Sequence, residues 1–246
     1  MRNFRIILQY EGTKYQGWQK QESTDNTIQG KLENILSKMA GVPMEVHGAG
    51  RTDAGVHAKG QVAHFKMDTD MSEDEIMTYI NQYLPEDIAV ISIKEAGERF
   101  HARLNATGKI YRYRIINSNI PYVFERRYVH MVEEKLDLDK MRQAADILVG
   151  THDFKAFTST KRGKKSTVRT IESIDIQKEG EEILLTYKGD GFLYHMVRIL
   201  SGTLIEVGLE KRSVHSVKDA LESLERKNAG FLAPAKGLIL MEVLYH

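Results

Sequence analysis

The chain has 246 residues, 41% of them hydrophobic, which suits one large domain or two small ones and is too little apolar character for a membrane protein. There is no cysteine, which excludes disulfides, thiolate catalysis and cysteine metal sites and fits a reducing, cytoplasmic setting. The net charge of +1 conceals segregation: seven Lys/Arg face two acids between Ala96 and His130, and six face none between Phe154 and Ile171.

The compensating acids gather at Glu73 to Glu75, Glu133 to Asp139, Glu179 to Glu182 and Asp219 to Glu225. Such segregation lets a nearly neutral protein present a positive surface to phosphates, although two solvated loops have the same composition. No apolar run approaches the roughly 18–20 residues that span a bilayer. Met1-Arg2-Asn3-Phe4-Arg5 runs into a strand at once and lacks the shape of a signal peptide.

Alternation of Phe4, Ile6, Leu8 and Tyr10 predicts an opening strand. Ile28, Leu32, Ile35, Leu36 and Met39 fall on one face of a helix that Gly41 closes. Short strands are expected at Met44 to His47 and Gln61 to Phe65. Ser72 with Glu75 reads as a capping box for a helix burying Ile76, Ile80 and Tyr83 or Leu84. Ile88 to Ile93 is a strand, and Arg99 to Thr107 a connector.

The pattern then restarts. Lys109 to Ile116 is a strand; Leu138, Met141, Ala144, Ala145 and Leu148 mark a helix ended by Gly150. Ile171 to Gln177 and Ile183 to Tyr187 alternate as strands. A helix follows over Leu193 to Val207, with Gly202 as a weak point. Ser213 caps a helix through Leu224, and Leu238 to Tyr245 is the last strand. Two strand–helix–strand series of similar size suggest duplication, with halves at 1–105 and 106–246 and an α+β class built on antiparallel sheets backed by helices.

The most informative stretch is Gly48-Ala49-Gly50-Arg51-Thr52-Asp53-Ala54-Gly55-Val56-His57-Ala58. Glycines permit sharp turns and close approach of a ligand. If the segment is extended, Arg51 and Asp53 project to one side. A nearby guanidinium favours an ionised carboxylate, suited to act as nucleophile or base. A structural turn closed by an Arg–Asp pair uses the same residues.

On the strand from Lys109 to Ile116, Lys109, Tyr111 and Tyr113 share one face and Arg112 and Arg114 the other, so the strand is expected to border a polar cleft. Arg198 stands among Met196, Val197, Ile199, Leu200, Leu204 and Ile205, where a guanidinium needs a carboxylate or phosphate partner. The loop Thr158 to Thr167 is basic and small, and offers Lys161, Arg162, Lys164 and Lys165 to phosphates. Nine histidines raise the question of a metal, but no His-x-His or His-Glu-x-x-His occurs, and His57, His64 and His101 lie in separate segments. No P-loop or dinucleotide fingerprint is present, so neither metal nor organic cofactor is expected.

The Gly48–Ala58 block closely resembles the signature of the TruA family of tRNA pseudouridine synthases. Phe100-His101-Ala102-Arg103, Lys109-Ile110-Tyr111-Arg112-Tyr113-Arg114, Met196-Val197-Arg198 and Ala233-Pro234-Ala235-Lys236-Gly237-Leu238 follow in the family's order, from about Phe4 to Tyr245. The resemblance implies two similar α/β halves whose sheets meet around a central basic cleft. It implies an isomerase that converts uridine to pseudouridine in the anticodon stem-loop, at tRNA positions 38, 39 and 40, and works as a homodimer on tRNA rather than DNA. Asp53 matches the family's reactive carboxylate, with attack on ribose, addition to uracil and removal of the 2′ proton all open. Tyr111 matches the tyrosine that contacts the target uridine, with Lys109 beside it. Arg51 and Arg198 match groups that hold the carboxylate ionised and fill the space of the flipped nucleotide.

Rival readings use the same residues. A non-catalytic RNA-binding sheet calls for a Gly-Phe-containing RNP1 sequence, which Lys109 to Arg114 lacks. A glycosidic hydrolase calls for a second carboxylate, for which Asp190 is the candidate by loop character. Phe157-Thr158-Ser159-Thr160 with its short basic loop departs from the family's common form, which suits a paralogue with a narrowed choice of tRNA.

Overall fold

The computed structural model describes residues 1–160 and 166–246; Lys161, Arg162, Lys164 and Lys165 lie outside the described residues. The elements in chain order are β1 (Arg2–Tyr10), α1 (Ile28–Ala40), β2 (His47–Gly48), β3 (His57–Met67), α2 (Glu73–Tyr83) and β4 (Ile88–Ala96). Then come β5 (Gly108–Asn117), β6 (His130–Val132), α3 (Leu138–Leu148), β7 (Gly150–Asp153), β8 (Val168–Glu179), β9 (Glu182–Gly189), α4 (Met196–Gly208), α5 (His215–Ser223) and β10 (Leu238–Leu244). Two compact units result: Met1–Thr107 with Ile239–His246, and Gly108–Leu238. The last strand thus belongs with the first unit, where β10 pairs in parallel with β3 through Ile239↔His57 and Leu240↔Ala58. Linear order cannot show such a return.

In the first unit, β1 lies antiparallel between β3 and β4. Phe4, Ile6, Leu8 and Tyr10 are buried, as their alternation requires, and Phe4 stacks on Phe65 across the strand pair. Thr27 caps α1 by accepting the Gly30 N–H at 3.2 Å, and Gly41 ends it in the left-handed region at φ +71°. At α2, Ser72 and Glu75 exchange both bonds of a capping box; Ile76 and Ile80 are buried, Leu84 is half-buried, and Tyr83 is turned out to solvent. The strand expected at Met44–His47 is reduced to His47–Gly48, because Val46 spends its amide and carbonyl on Glu33 and Gln29 of α1 instead of a ladder.

The connector after β4 is clamped to one face of this sheet. Asn3 Nδ2 donates to the carbonyls of Gly97 and Phe100, Tyr245 Oη donates to Ala102 O at 2.6 Å, and the Arg5 guanidinium lies 4.4 Å over the Tyr245 ring. Of the three histidines that the sequence sets in separate segments, His64 and His101 meet here and His57 does not. His64 stacks against His47 and meets His101 at a tilt, with ring centroids 5.0 and 4.6 Å away. Its Nδ1 accepts the Ala102 N–H, and His101 Nδ1 accepts that of Arg103, so both rings serve as acceptors for the connector's backbone.

The second unit orders its strands β5–β9–β8–β7, all antiparallel, with β6 added in parallel to β5. Asp137 caps α3 by accepting the amides of Asp139 and Lys140. Gly150 opens β7, at φ +111°, instead of closing α3; the helix has already ended at Val149. At α5 the N-cap position falls on Val214, which makes no side-chain cap bond, and the expected Ser213 stands one residue earlier, its Oγ accepting the Ser216 N–H.

Helix α4 is buried around nearly its whole circumference, and Gly202 is not its weak point. A Cβ there would lie 2.0 Å from the Phe231 carbonyl oxygen, so the glycine is what allows the chain to cross the helix. Helix propensity alone would favour Gly202→Ala by about 1 kcal/mol. The backbone clash opposes it with at least ~2 kcal/mol of overpacking, and the clash wins. Gly202→Ala is therefore expected to lower Tm by several degrees in thermal unfolding, whereas a rise would show that the crossing is slack.

Burial, reinforced by the charges of His101 and His47, pushes the His64 imidazole down to about 4, and burial followed by the Lys236 charge does the same to His130. Between the ordinary histidine value of ~6.5 and 4 the unfolded chain binds more protons, so stability falls as pH drops through that window. The His64 contribution is on the order of 2–3 kcal/mol, fully present above pH ~6.5. His64→Asn keeps an acceptor for Ala102 without a titrating ring. Urea midpoints at pH 7 and pH 5 are expected to differ less for this variant than for the parent; equal differences would remove His64 from the account.

Candidate active site

Between β2 and β3 the chain has no ladder, so residues 49–56 are held bond by bond. Ala49 N donates to Val62 O at 2.7 Å, Trp18 N to Thr52 O at 3.0 Å, and Gly55 N to Tyr15 O at 3.3 Å. Val56 N returns to Asp53 O at 3.2 Å, closing a turn that holds Gly55 at φ +78°. From beneath, Gln61 Nε2 donates to Gly50 O at 2.9 Å, and the buried Tyr10 hydroxyl bonds Thr52 Oγ1 at 2.8 Å. Desolvation lifts that phenol to about 12, so it remains a neutral hydroxyl. His57 Nδ1 accepts the Gly12 N–H at 3.0 Å, which keeps that nitrogen unprotonated although Glu11 Oε1 lies 3.6 Å away.

Thr52 is 7% exposed and points inward, while Arg51 is exposed and Asp53 half-buried. Thr52 is thus anchored inward between Arg51 and Asp53. The Arg51 Nε donates to Gln19 Oε1 at 2.9 Å. Gly48 does not make room for a ligand, as the open-loop reading expects: its missing Cβ would fall 2.5 Å from the Trp18 indole. Tyr10, Trp18 and Gln61 escape motif reading because Tyr10 scans as core and Gln61 as an ordinary strand residue. A polar residue on an inward phase of a strand is the signal that would reveal Gln61.

In the second unit, Tyr111 and Tyr113 share the buried face of β5, at 7% and 0% exposure. Tyr111 meets Phe192 edge to face, with centroids 5.3 Å apart. Tyr113 donates its hydroxyl to Pro234 O at 2.9 Å, and burial drives its ionisation far above the usual phenol range. The opposite face carries Arg112, bonded to Thr186, and Arg114, paired with Glu182. Lys109 is half-buried at the start of the strand.

Arg198 is half-buried on the first turn of α4, where its Nε donates to Ala233 O at 2.7 Å and its own carbonyl accepts the Ala233 N–H at 3.2 Å. His195, at φ +64°, starts this helix, and its Nδ1 lies 2.9 Å from Ser159 Oγ. Asp190 accepts the Thr170 N–H and so secures the turn after β9. Structure thus brings Arg51 and Asp53 together on one loop of the first unit, and places Lys109, Tyr111 and Arg198 on β5 and α4 of the second. Among the described residues no three His, Asp or Glu side chains converge as a metal site, and no helix is long and apolar enough to cross a membrane.

Comparison with known proteins bears on these residues. The profile of a family described as tRNA pseudouridine synthase matches residues 6–105 and 144–246. A tRNA pseudouridine synthase A of Bacillus sp. (strain KSM-64) is 47% identical over 240 residues, covering 98% of each chain. A tRNA pseudouridine synthase A 1 of Clostridium tetani is 46% identical over 245 residues, covering both chains in full, and a tRNA pseudouridine synthase A 2 of Bacillus cereus is 43% identical over 243. Among solved structures, a chain of a Cbf5-Nop10-Gar1 complex is 12% identical with a TM-score of 0.39, covering 96% of this chain and 48% of that one, a likeness too low to argue from. The profile and the full-length relatives are decisive: this chain belongs to the tRNA pseudouridine synthase family, and it is an isomerase of tRNA uridine.

Proposed function

We propose that the protein converts uridine to pseudouridine at positions 38, 39 and 40 of the tRNA anticodon stem-loop, without a cofactor and with Asp53 as the nucleophile. The observation that carries this reading is the Asp53 loop, whose backbone is fixed bond by bond around the buried Thr52, with Arg51 exposed on one side of it in sequence and Asp53 half-buried on the other. The reaction breaks the bond between uracil N1 and ribose C1′ and forms one between C5 and C1′. C5 gives up its proton and N1 gains one, so the product is an isomer and needs no oxidant or energy source.

In this reading Asp53 starts the reaction by attacking the nucleotide. Tyr111 stacks on the extruded base and takes the C5 proton, consistent with aromatic recognition of bases removed from a stack. Lys109 contacts the substrate beside it. Arg51 and Arg198 occupy the space vacated by the flipped nucleotide. Basic side chains between Arg99 and Arg127, together with Lys161, Arg162, Lys164 and Lys165, contribute salt-dependent phosphate contacts. The working form is a cytoplasmic homodimer.

A second reading, a copy with a narrowed choice of tRNA, is favoured by relatives whose names are numbered A 1 and A 2. The test is tritium release in EDTA from tRNA transcripts labelled at uracil C5, run over a panel of tRNAs with uridine at one or more of the three positions. Release by the parent is expected, with Asp53→Ala at least ~10³-fold slower. Release from one tRNA alone selects the narrowed reading, and release by Asp53→Ala near the parental rate would falsify the assignment of the nucleophile.

A further inference from the structure

The Arg51 guanidinium is tied to a buried carboxylate 18 residues away by an unbroken side-chain relay. Arg51 Nε donates to Gln19 Oε1 at 2.9 Å, Gln19 Nε2 to Gln29 Oε1 at 2.7 Å, and Gln29 Nε2 to Glu33 Oε1 at 2.9 Å. Glu33, 6% exposed on α1, also accepts the Val46 N–H at 3.1 Å and the Lys20 ammonium at 3.0 Å. The direction of the relay is fixed at both ends, because a guanidinium only donates and a carboxylate only accepts. Turned over, the Gln19 amide would set donor against donor and acceptor against acceptor at two contacts, and the Gln29 amide would do so at four.

A groove of about 500 Å³ lies along the relay, lined by Gln19, Lys20, Gln29, Glu33 and His47 among others. Gln29 Oε1 accepts from both Gln19 and the Lys20 backbone, and its Nε2 donates to both Glu33 and Val46 O at 3.0 Å. That amide has its full complement of partners within the protein, so it serves to orient a neighbour and not to read a ligand. An exposed arginine otherwise loses much side-chain entropy whenever it must adopt one geometry, and a relay anchored in α1 takes most of that loss at folding.

We propose that Gln19, Gln29 and Glu33 are positioning residues that aim Arg51 for the isomerisation step. The inference rests on the reading of the Asp53 loop as the reacting site. Gln19→Met removes one amide from a half-buried loop position while preserving side-chain length, and Gln29→Met does so on α1. Single-turnover tritium release from a C5-labelled tRNA transcript is expected to fall about tenfold in each, with tRNA Kd changed by no more than about twofold. The discriminating variant is the double Gln19→Met/Arg51→Met, expected to be no slower than Arg51→Met alone, because residues acting through one another are not additive. Losses that multiply in the double variant, a parental rate for Gln19→Met, or a parental rate for Arg51→Met each overturn the proposal. Asp53→Ala in the same assay separates the two levels. If it still releases tritium the underlying site reading falls, and if it is inactive while the losses multiply only the relay falls.

Discussion

A segment without ladder partners must satisfy each backbone N–H and C=O separately, because an unpaired buried group costs as much as a lost hydrogen bond. Residues 49–56 meet this constraint with partners from β1, the 12–18 loop and β3. The Gly50 and Thr52 carbonyls and the Thr52 hydroxyl are all drawn to the inner side. With those acceptors committed, the buried Thr52 is the fixed point between the exposed Arg51 and the half-buried Asp53.

Close backbone approach follows from the same constraint. A Cβ on Gly12 would lie 2.0 Å from Val56 O, and one on Gly17, at φ +88°, would lie 2.6 Å from Thr52 O. The 12–18 loop can press its main chain against that of the Asp53 loop only with hydrogen at these positions. Trp18 then covers Gly48 and is itself buried. These glycines act on protein packing, which is why a glycine-rich motif alone does not distinguish a ligand cradle from a tightly seated loop.

Elements with a single dominant periodicity were legible. The inward alternation of Phe4 to Tyr10, the stripe from Ile28 to Leu36 and the Ser72–Glu75 box each depend on neighbours within one turn or one strand, and each stands as read. What was not legible depends on residues far apart in the chain. Gly202 reads as a helix weakness because propensity is local, whereas Phe231, which it accommodates, is 29 positions on. His64 and His101 read as lying in separate segments because nothing in their spacing records that the connector folds over β3, where His47 of the paired β2 joins them. Short β6 and β7 lack a run long enough to alternate. At the site, Asp53 and Arg51 were visible as a motif, and the Tyr10, Gln61 and Gln19 groups that hold their loop were not.

The motif Ala233 to Leu238 illustrates how a recurrent block can serve reacting residues without reacting. Tyr113 and Arg198 are both placed among apolar groups, and each brings a donor that burial obliges to find an acceptor. Both find it in adjacent carbonyls, those of Pro234 and Ala233. Gly237 lets the same segment lie against the Tyr113 ring, where a Cβ would come within 2.8 Å. One short stretch therefore fixes β5 and α4 together, and with them the elements that carry Tyr111 and Arg198. A proline contributes to this because it offers a carbonyl while having no N–H of its own to satisfy. In both units, then, a guanidinium proposed for chemistry is held by a neutral acceptor: the Gln19 amide oxygen for Arg51 and the Ala233 carbonyl for Arg198.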